Sequence, residues 1–300
     1  HPTAPGGGGM TNVETTRRPI GVGTEIRSRA NTATISLVLR NRRLTFWAAL
    51  VLLSPIVFAS LVPGLVAPYD PFANSGPALS PPSAAHPFGT DDLGRDLLSG
   101  VVYGARTSLF VAAVVTLLSC GIGAGIGMAS GYFRGVVDEV LMRFTEFVQV
   151  VPRFFVALLV LTLFGASTWT TALVLGLMSW PGLARLTRAE TLSLREREFI
   201  RAAEALGGGG SWILRRHLLP HIRRPILALI APIATGAILT EAGLSYLGLS
   251  DPNVMSWGKL IQTGQTYFTL GWWLPLMPGL AILATCMGLS LVVESLRSRA

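Results

Sequence analysis

Residues 201–220 read RAAEALGGGGSWILRRHLLP, an arginine-rich stretch broken by four consecutive glycines, in a chain of 300 residues that is half hydrophobic and only 13% charged. That charged share is about half of the ~25% usual in soluble domains and is the balance of a membrane protein. A segment this polar has to lie outside the hydrocarbon. On either side of it run apolar stretches near the ~20 residues that cross a bilayer. Four are plain, at 44–66, 109–129, 226–249 and 272–293. Two shorter ones, 147–164 and 169–183, read as a helical hairpin turned at Gly165–Trp169, which is polar enough for an interface. The expectation is an all-α integral membrane protein with six transmembrane helices.

Short loops rich in Arg and Lys stay in the cytoplasm, and the 24 basic residues sort accordingly. Seven arginines precede the first span, Arg134 and Arg143 fall in the second loop, nine lie from Arg185 to Arg224, and Arg297 and Arg299 close the chain. The opposite loops hold Arg95, Arg106 and Lys259. Both termini of this multi-pass chain are therefore expected in the cytoplasm. Arg153, near the cytoplasmic end of the third span, is expected to snorkel to the interface. The net charge of +8 is thus a topology signal, since a nucleic-acid surface requires its arginines on one soluble face with aromatic neighbours. Cys120 and Cys286 lie inside apolar segments with no paired spacing and read as packing residues.

Residues 1–9, HPTAPGGGG, read as a cloning remnant and 10–43 as a cytoplasmic tail. The transmembrane domain, 44–293, has outside loops at 67–108 and 250–271 and a cytoplasmic loop at 185–224, with 294–300 as a cytoplasmic C-terminus. Prolines and small residues deny the first outside loop regular structure up to Asp91, and a short helix is expected over 91–105. In the second span, Gly121 and Gly125 form one stripe and Gly123, Gly127 and Gly131 another, a spacing expected to seat a neighbouring helix of the same subunit.

The loop at 185–224 is far longer than a helix connection needs. Its first part, LTRAETLSLREREFIRAAEAL, is rich in helix formers until the glycines stop it, at ~1 kcal/mol each relative to Ala. SWILRRHLLP then reads as a second short helix, capped by Ser211 and ended by Pro220. Two short helices joined at a glycine bend make a knob suited to docking against another protein.

Several chemistries are missing. A P-loop needs a lysine after its glycines, but Lys259 is the only lysine and Ser211 and Trp212 follow the tetraglycine, so the chain is not expected to hydrolyse ATP. His217 and His221 are four apart, yet Pro220 separates them and Arg215, Arg216, Arg223 and Arg224 surround them, which repels a cation. No catalytic set and no cofactor site emerges. Of the acids at membrane depth, Glu146 has Arg143 three residues before it, whereas Glu241 has no basic residue close in sequence. Glu241 either lines a pathway or accepts hydrogen bonds from a neighbouring helix end. A stand-alone secondary transporter is the alternative of another class, and it calls for inverted repeats and ion-coupling carboxylates that the sequence does not display.

The opening stretch resembles the cytoplasmic signature of the membrane subunits of ATP-binding cassette importers, E-A-A-x3-G-x9-I-x-L-P. Ala202, Ala203, Gly207, Leu219 and Pro220 match in position, while Arg201 stands for Glu and His217 for Ile. Both departures look like the dipeptide, oligopeptide and nickel branch. So do HPFGTDDLGRDLLSGVVYGARTSL at 86–109, DEVLMRFTEFVQVVP at 138–152 and EAGLSYLGLSDPNVMSWGKLI at 241–261. The resemblance, to the second or C-type permease subunit of that branch, implies a type I importer permease fold whose knob is a coupling helix seated in a groove on a cytoplasmic ATPase. It implies coupling roles for Arg201, Ala202, Ala203, Glu204, Gly207, Leu219 and Pro220: small alanines admit the backbone to the groove, Gly207 permits the bend, and Arg201 and Glu204 pair with charged groove residues. It also implies a bacterial cytoplasmic membrane, a second permease subunit, an external solute-binding protein, and ATP and Mg held by partner ATPase subunits. The implied cargo is a di- or oligopeptide, with nickel, glutathione or another small solute as alternatives in the same class.

Overall fold

A backbone that cannot hydrogen-bond to lipid must bond to itself, and in the computed structural model, which describes residues 42–297, the regular elements are helices. In chain order they are α1 (Arg42–Leu61), a single turn α2 (Pro63–Val66), α3 (Leu97–Phe133), α4 (Gly135–Val150), α5 (Arg153–Phe164), α6 (Thr168–Ser179) and α7 (Pro181–Arg195). There follow α8 (Glu198–Ala205), a single turn α9 (Gly210–Ile213), a π-helical segment (Leu214–Leu218), α10 (Leu219–Tyr246), α11 (Trp257–Thr266) and α12 (Trp273–Arg297). The six expected spans fall on α1, α3, the α4 and α5 pair, α6 running into α7, α10, and α12. Among the described residues three helices are long and apolar enough to cross a bilayer unaided: α3, the helical run from Gly210 to Tyr246, and the run from Trp273 to Ser295. The expected tail and remnant lie outside the described residues.

Helix α3 is the organising element. Its Leu97, Val101, Ala105, Val111, Ala112 and Val115 share one buried cluster with Leu161 of α5, Leu175 of α6, Ile238 and Leu244 of α10, Trp257 of α11 and Leu274 of α12. Trp257 is fully buried and its indole N–H donates to the Val101 carbonyl at 3.0 Å. One glycine stripe does the work assigned to it: a β-carbon on Gly123 would meet Leu183, and one on Gly127 or Gly131 would meet Thr187 or Thr191, all on α7. The other stripe differs, because Gly121 and Gly125 have nothing within 4 Å of a β-carbon.

Four local expectations are corrected. Residues 91–96 are turns, not helix, because the Asp91 carboxylate accepts from the backbone N–H of Leu93 (2.9 Å) and of Arg95 (2.8 Å), a local bond that competes with helix. The helix starts at Leu97, capped by Asp96, which accepts from Ser99 N–H at 2.8 Å, and runs unbroken into the span. The third span is broken: Pro152 holds Val151 extended (φ −75°, ψ 120°), and α4 and α5 meet at 71°. The helix expected over 186–206 is interrupted between α7 and α8, at Glu196 and Arg197. Finally, Ser211 lies inside α9 and caps nothing, and Pro220 ends nothing. The π segment shifts the bonding so that Leu219 N–H donates to the Leu214 carbonyl, and Pro220 then falls in the first turn of α10, where a missing N–H is tolerated.

Candidate functional site

The knob is built from α8, the glycine turn and α9. Helix α8 closes in a reciprocal pair of bonds: Gly208 N–H donates to the Ala203 carbonyl and Gly207 N–H to the Glu204 carbonyl, each at 3.0 Å. This motif places its penultimate residue in the left-handed region, and Gly207 sits there at φ +83°. A β-carbon on Gly207 would meet nothing within 4 Å, so backbone angle, not space, requires the glycine. Beneath the turn, Tyr132, Leu194, Ile200, Ala203, Ile213, Leu218 and Ile222 form an apolar cluster of their own.

The two alanines of the signature differ in burial. Ala202 is exposed, whereas Ala203 belongs to the buried cluster. Ala203 as placed here packs on its own chain, so the outward surface of α8 is carried by Ala202 and by Leu206, which is 90% exposed. These two, with Phe199, the edge of Ala203, Trp212, His217 and the glycines 207–209, line an open concavity of about 610 Å³. Leu219 and Pro220 are exposed at the start of α10.

Arg201 and Glu204 have partners within the chain. Arg201 donates to Glu196 at 3.0 Å, and Arg134 donates to the other oxygen of the same carboxylate. These two guanidinium groups, Arg134 foremost, hold the Glu196 carboxyl below the usual carboxylate range. Glu204 accepts from the Tyr132 hydroxyl at 3.1 Å, while Arg195 donates to the Tyr132 carbonyl and lies over its ring. His221 and Phe199 stack at 5.2 Å, and the His217 ring meets Trp212 edge-on at 4.8 Å. Arg188 grips Asp138 with two bonds of 2.6 Å, tying α7 to α4. The Tyr132–Glu204, Arg134–Glu196 and Arg188–Asp138 pairs carry no signal in one dimension, because their members lie 50 to 72 residues apart. Among the described residues no group of three or more His, Cys, Asp or Glu is gathered for a metal.

Glu241 occupies a separate place. It is 4% exposed, and its carboxyl oxygens accept from Ser108 of α3 at 3.0 Å and from Ser245 one turn on at 2.8 Å. Ser256, the cap of α11, donates to Ser245 at 3.3 Å, so one carboxyl links three elements. It borders a water-sized space of about 10 Å³ shared with Thr107, Thr171 and Asp251. Of the three serines Ser108 lies far away in sequence, and Ser245, four residues after Glu241, offered a local hint.

Residues 121–299 match the sequence model of the binding-protein-dependent transport system inner membrane component family. The chain belongs to this family. It is 35% identical over 258 residues to a Brucella suis protein named as a peptide transport system permease, covering 85% of this chain and 87% of that one. A Brucella suis peptide permease is 36% identical with 86% of each chain covered, and the dipeptide transport system permease protein DppC of Haemophilus influenzae is 29% identical over 83% of this chain and 87% of that one. In three dimensions the chain is similar to a chain of the MetNI methionine ABC transporter in an inward-facing conformation, with a TM-score of 0.51 at 17% identity over 67% of this chain and 97% of that one. At that identity the likeness carries the fold alone. This family member is thus a multi-pass permease subunit of an ATP-binding cassette importer.

Proposed function

We propose that this chain forms one half of an import pathway for di- or oligopeptides, and that its α8 to α9 knob docks on a cytoplasmic ATPase subunit. The cargo reading rests on the names of the relatives. The docking reading rests on one observation: a glycine-closed knob leaves Ala202, Leu206 and Trp212 exposed on a segment too charged for lipid. Exposed apolar side chains gathered at a concavity mark an interaction surface. In this reading Arg201 and Glu204 brace the knob through Glu196 and Tyr132, Gly207 sets its bend, and Leu219 and Pro220 form its root. Partner ATPase subunits bind ATP and Mg, a second permease completes the pathway, and an external solute-binding protein delivers cargo. Both termini lie in the cytoplasm.

The test is reconstitution. The chain with its companion permease, ATPase and binding protein should take up a labelled dipeptide only with ATP, and the purified chain alone should hydrolyse none. ATP-independent uptake by the chain alone would overturn the reading. For orientation, cysteines at Ala84 and Gln265 should react with an impermeant thiol reagent outside intact cells, and one at Ser193 should not.

A further inference from the structure

Arg153 opens α5 on the far side of the break from α4. Helix α5 has 12 residues, about 18 Å of rise, so a side chain at its first residue cannot lie at the far face of a hydrocarbon layer ~30 Å thick. The end of α5 is level with the end of α10, because Thr168, three residues beyond the intervening Gly165, meets the Asp251 carboxylate through its N–H (3.4 Å) and hydroxyl (3.5 Å). The guanidinium reaches Gly236 of α10, where a β-carbon would stand 3.4 Å from one of its nitrogens. Gly236 precedes the end of α10 at Tyr246 by about 15 Å of helix, close to the midplane. Sequence placed this arginine at an interface; with the ends of α5 and α10 at the outer face, it stands about halfway through the layer.

At that depth Arg153 makes no side-chain hydrogen bond or ion pair among the described residues, and it is exposed. Beside it Val150 is 81% exposed, and the backbone at Val151 is irregular. Irregular backbone and an unpaired charge persist at membrane depth only against protein or water. The facing strip of α10 carries small residues: Gly236, whose carbonyl accepts from the Thr240 hydroxyl at 2.7 Å, and Gly243, which lies against the Phe154 ring. It leaves room beside the guanidinium.

We propose that Arg153 lines the translocation pathway at the helix break and receives a carboxylate of the passing cargo, for a peptide its C-terminal carboxylate. The proposal rests on the peptide-import reading above. A planar guanidinium offers paired N–H donors that match a carboxylate, and in a narrow pathway they replace part of its hydration.

The test uses the assembled four-component transporter in proteoliposomes, with alanyl-alanine and its C-terminal amide as probes. Arg153→Gln should lower ATP-driven uptake of the acid at least about tenfold and leave the amide within about twofold, with the companion permease still co-purifying; Arg153→Lys should recover part of the acid uptake. In a background with Cys120 and Cys286 replaced by Ala, Arg153→Cys should react with a hydrophilic thiosulfonate, and a positively charged reagent should restore acid uptake where a negatively charged one does not. Equal loss of acid and amide, rescue by either sign of reagent, or an unreactive cysteine would overturn the proposal. Loss of the companion permease in Arg153→Gln would overturn it too, by assigning the charge to a subunit contact. A wild-type complex that moves neither probe would instead defeat the peptide reading itself.

Discussion

The stretch from 67 to 96 has no helix, yet His86, Thr90, Asp91 and Asp96 within it are buried and paired; the knob at 196–218 is mostly helix, packed on a buried apolar cluster, yet the ion pairs that brace it lie in the open. In the first, Asp96 is 1% exposed and binds His86 at 2.9 Å while capping α3, and Thr90 accepts from Ser80 N–H at 2.9 Å and donates to the Pro77 carbonyl at 2.6 Å. The Trp273 indole adds a bond to the Thr90 carbonyl. In the second, the Glu196 side chain, 56% exposed, is shared by Arg134 and Arg201, which are 43% and 65% exposed. Irregular backbone cannot satisfy its own groups and needs fixed side-chain partners, whereas a helix can stand on surface pairs that contribute little. The first region is anchored by buried polar bonds, and the second by an apolar cluster with ion pairs at its surface.

The sharpest way to break this contrast is Asp96→Ala, which leaves His86 unpaired and α3 uncapped. It should lower stability by about 2–5 kcal/mol, from the lost cap and the buried hydrogen-bond groups left unsatisfied, read from thermal unfolding in detergent. A loss under about 1 kcal/mol would mean that the 67–96 segment is no better anchored than the knob. Next is Ala203→Asp, which buries a carboxylate in the apolar cluster at a local cost of about 2–4 kcal/mol. Hydrogen exchange should speed up over 198–218 and stay unchanged over 67–96. Gly207→Val should act through backbone angle alone, costing about 1–2 kcal/mol and loosening the last turn of α8 by the same readout.

The smallest effect belongs to Asp91. Burial raises its carboxyl above the ordinary value, against the lowering pull of the Arg95 and Leu93 backbone N–H groups. A raised folded value means that the folded state holds the proton more tightly, so this group's contribution to stability is present at low pH and lost as pH rises through the folded value. Asp91→Asn keeps the carbonyl that accepts both N–H bonds and removes that slope. The difference in unfolding midpoint between variant and parent should therefore favour the variant near pH 7 and shrink as the pH falls toward the ordinary carboxylate value. A difference that grows on acidification would contradict the assignment.

Much of this was legible because hydrocarbon imposes a length and a composition. The all-helical class followed from the apolar runs, and the knob from a run of four glycines that breaks the helix before it. What escaped was context. The rule that proline ends a helix fails at Pro220 because a π segment precedes it, and the same rule holds at Pro152, where hydropathy alone argued for a continuous span. The signature places Ala202 and Ala203 together, and only the packing of Ile200, Ile213 and Leu218 shows which one faces inward. Glu241 was readable as an acid without a neighbouring base, but its hydroxyl donor on α3, Ser108, lies 133 residues earlier.

The most direct test of the coupling account is the pair Ala202→Asp and Leu206→Asp, each changing an outward-facing residue with no part in the knob's buried cluster. Membrane abundance and hydrogen exchange of 198–218 should match the parent. A carboxylate left partly desolvated at a docked surface costs several kcal/mol, and each 1.4 kcal/mol is tenfold in binding, so the ATPase should no longer co-purify and ATP-driven dipeptide uptake should be lost. Parental uptake with the ATPase still bound would contradict the claim that this face of α8 transmits the force of ATP hydrolysis.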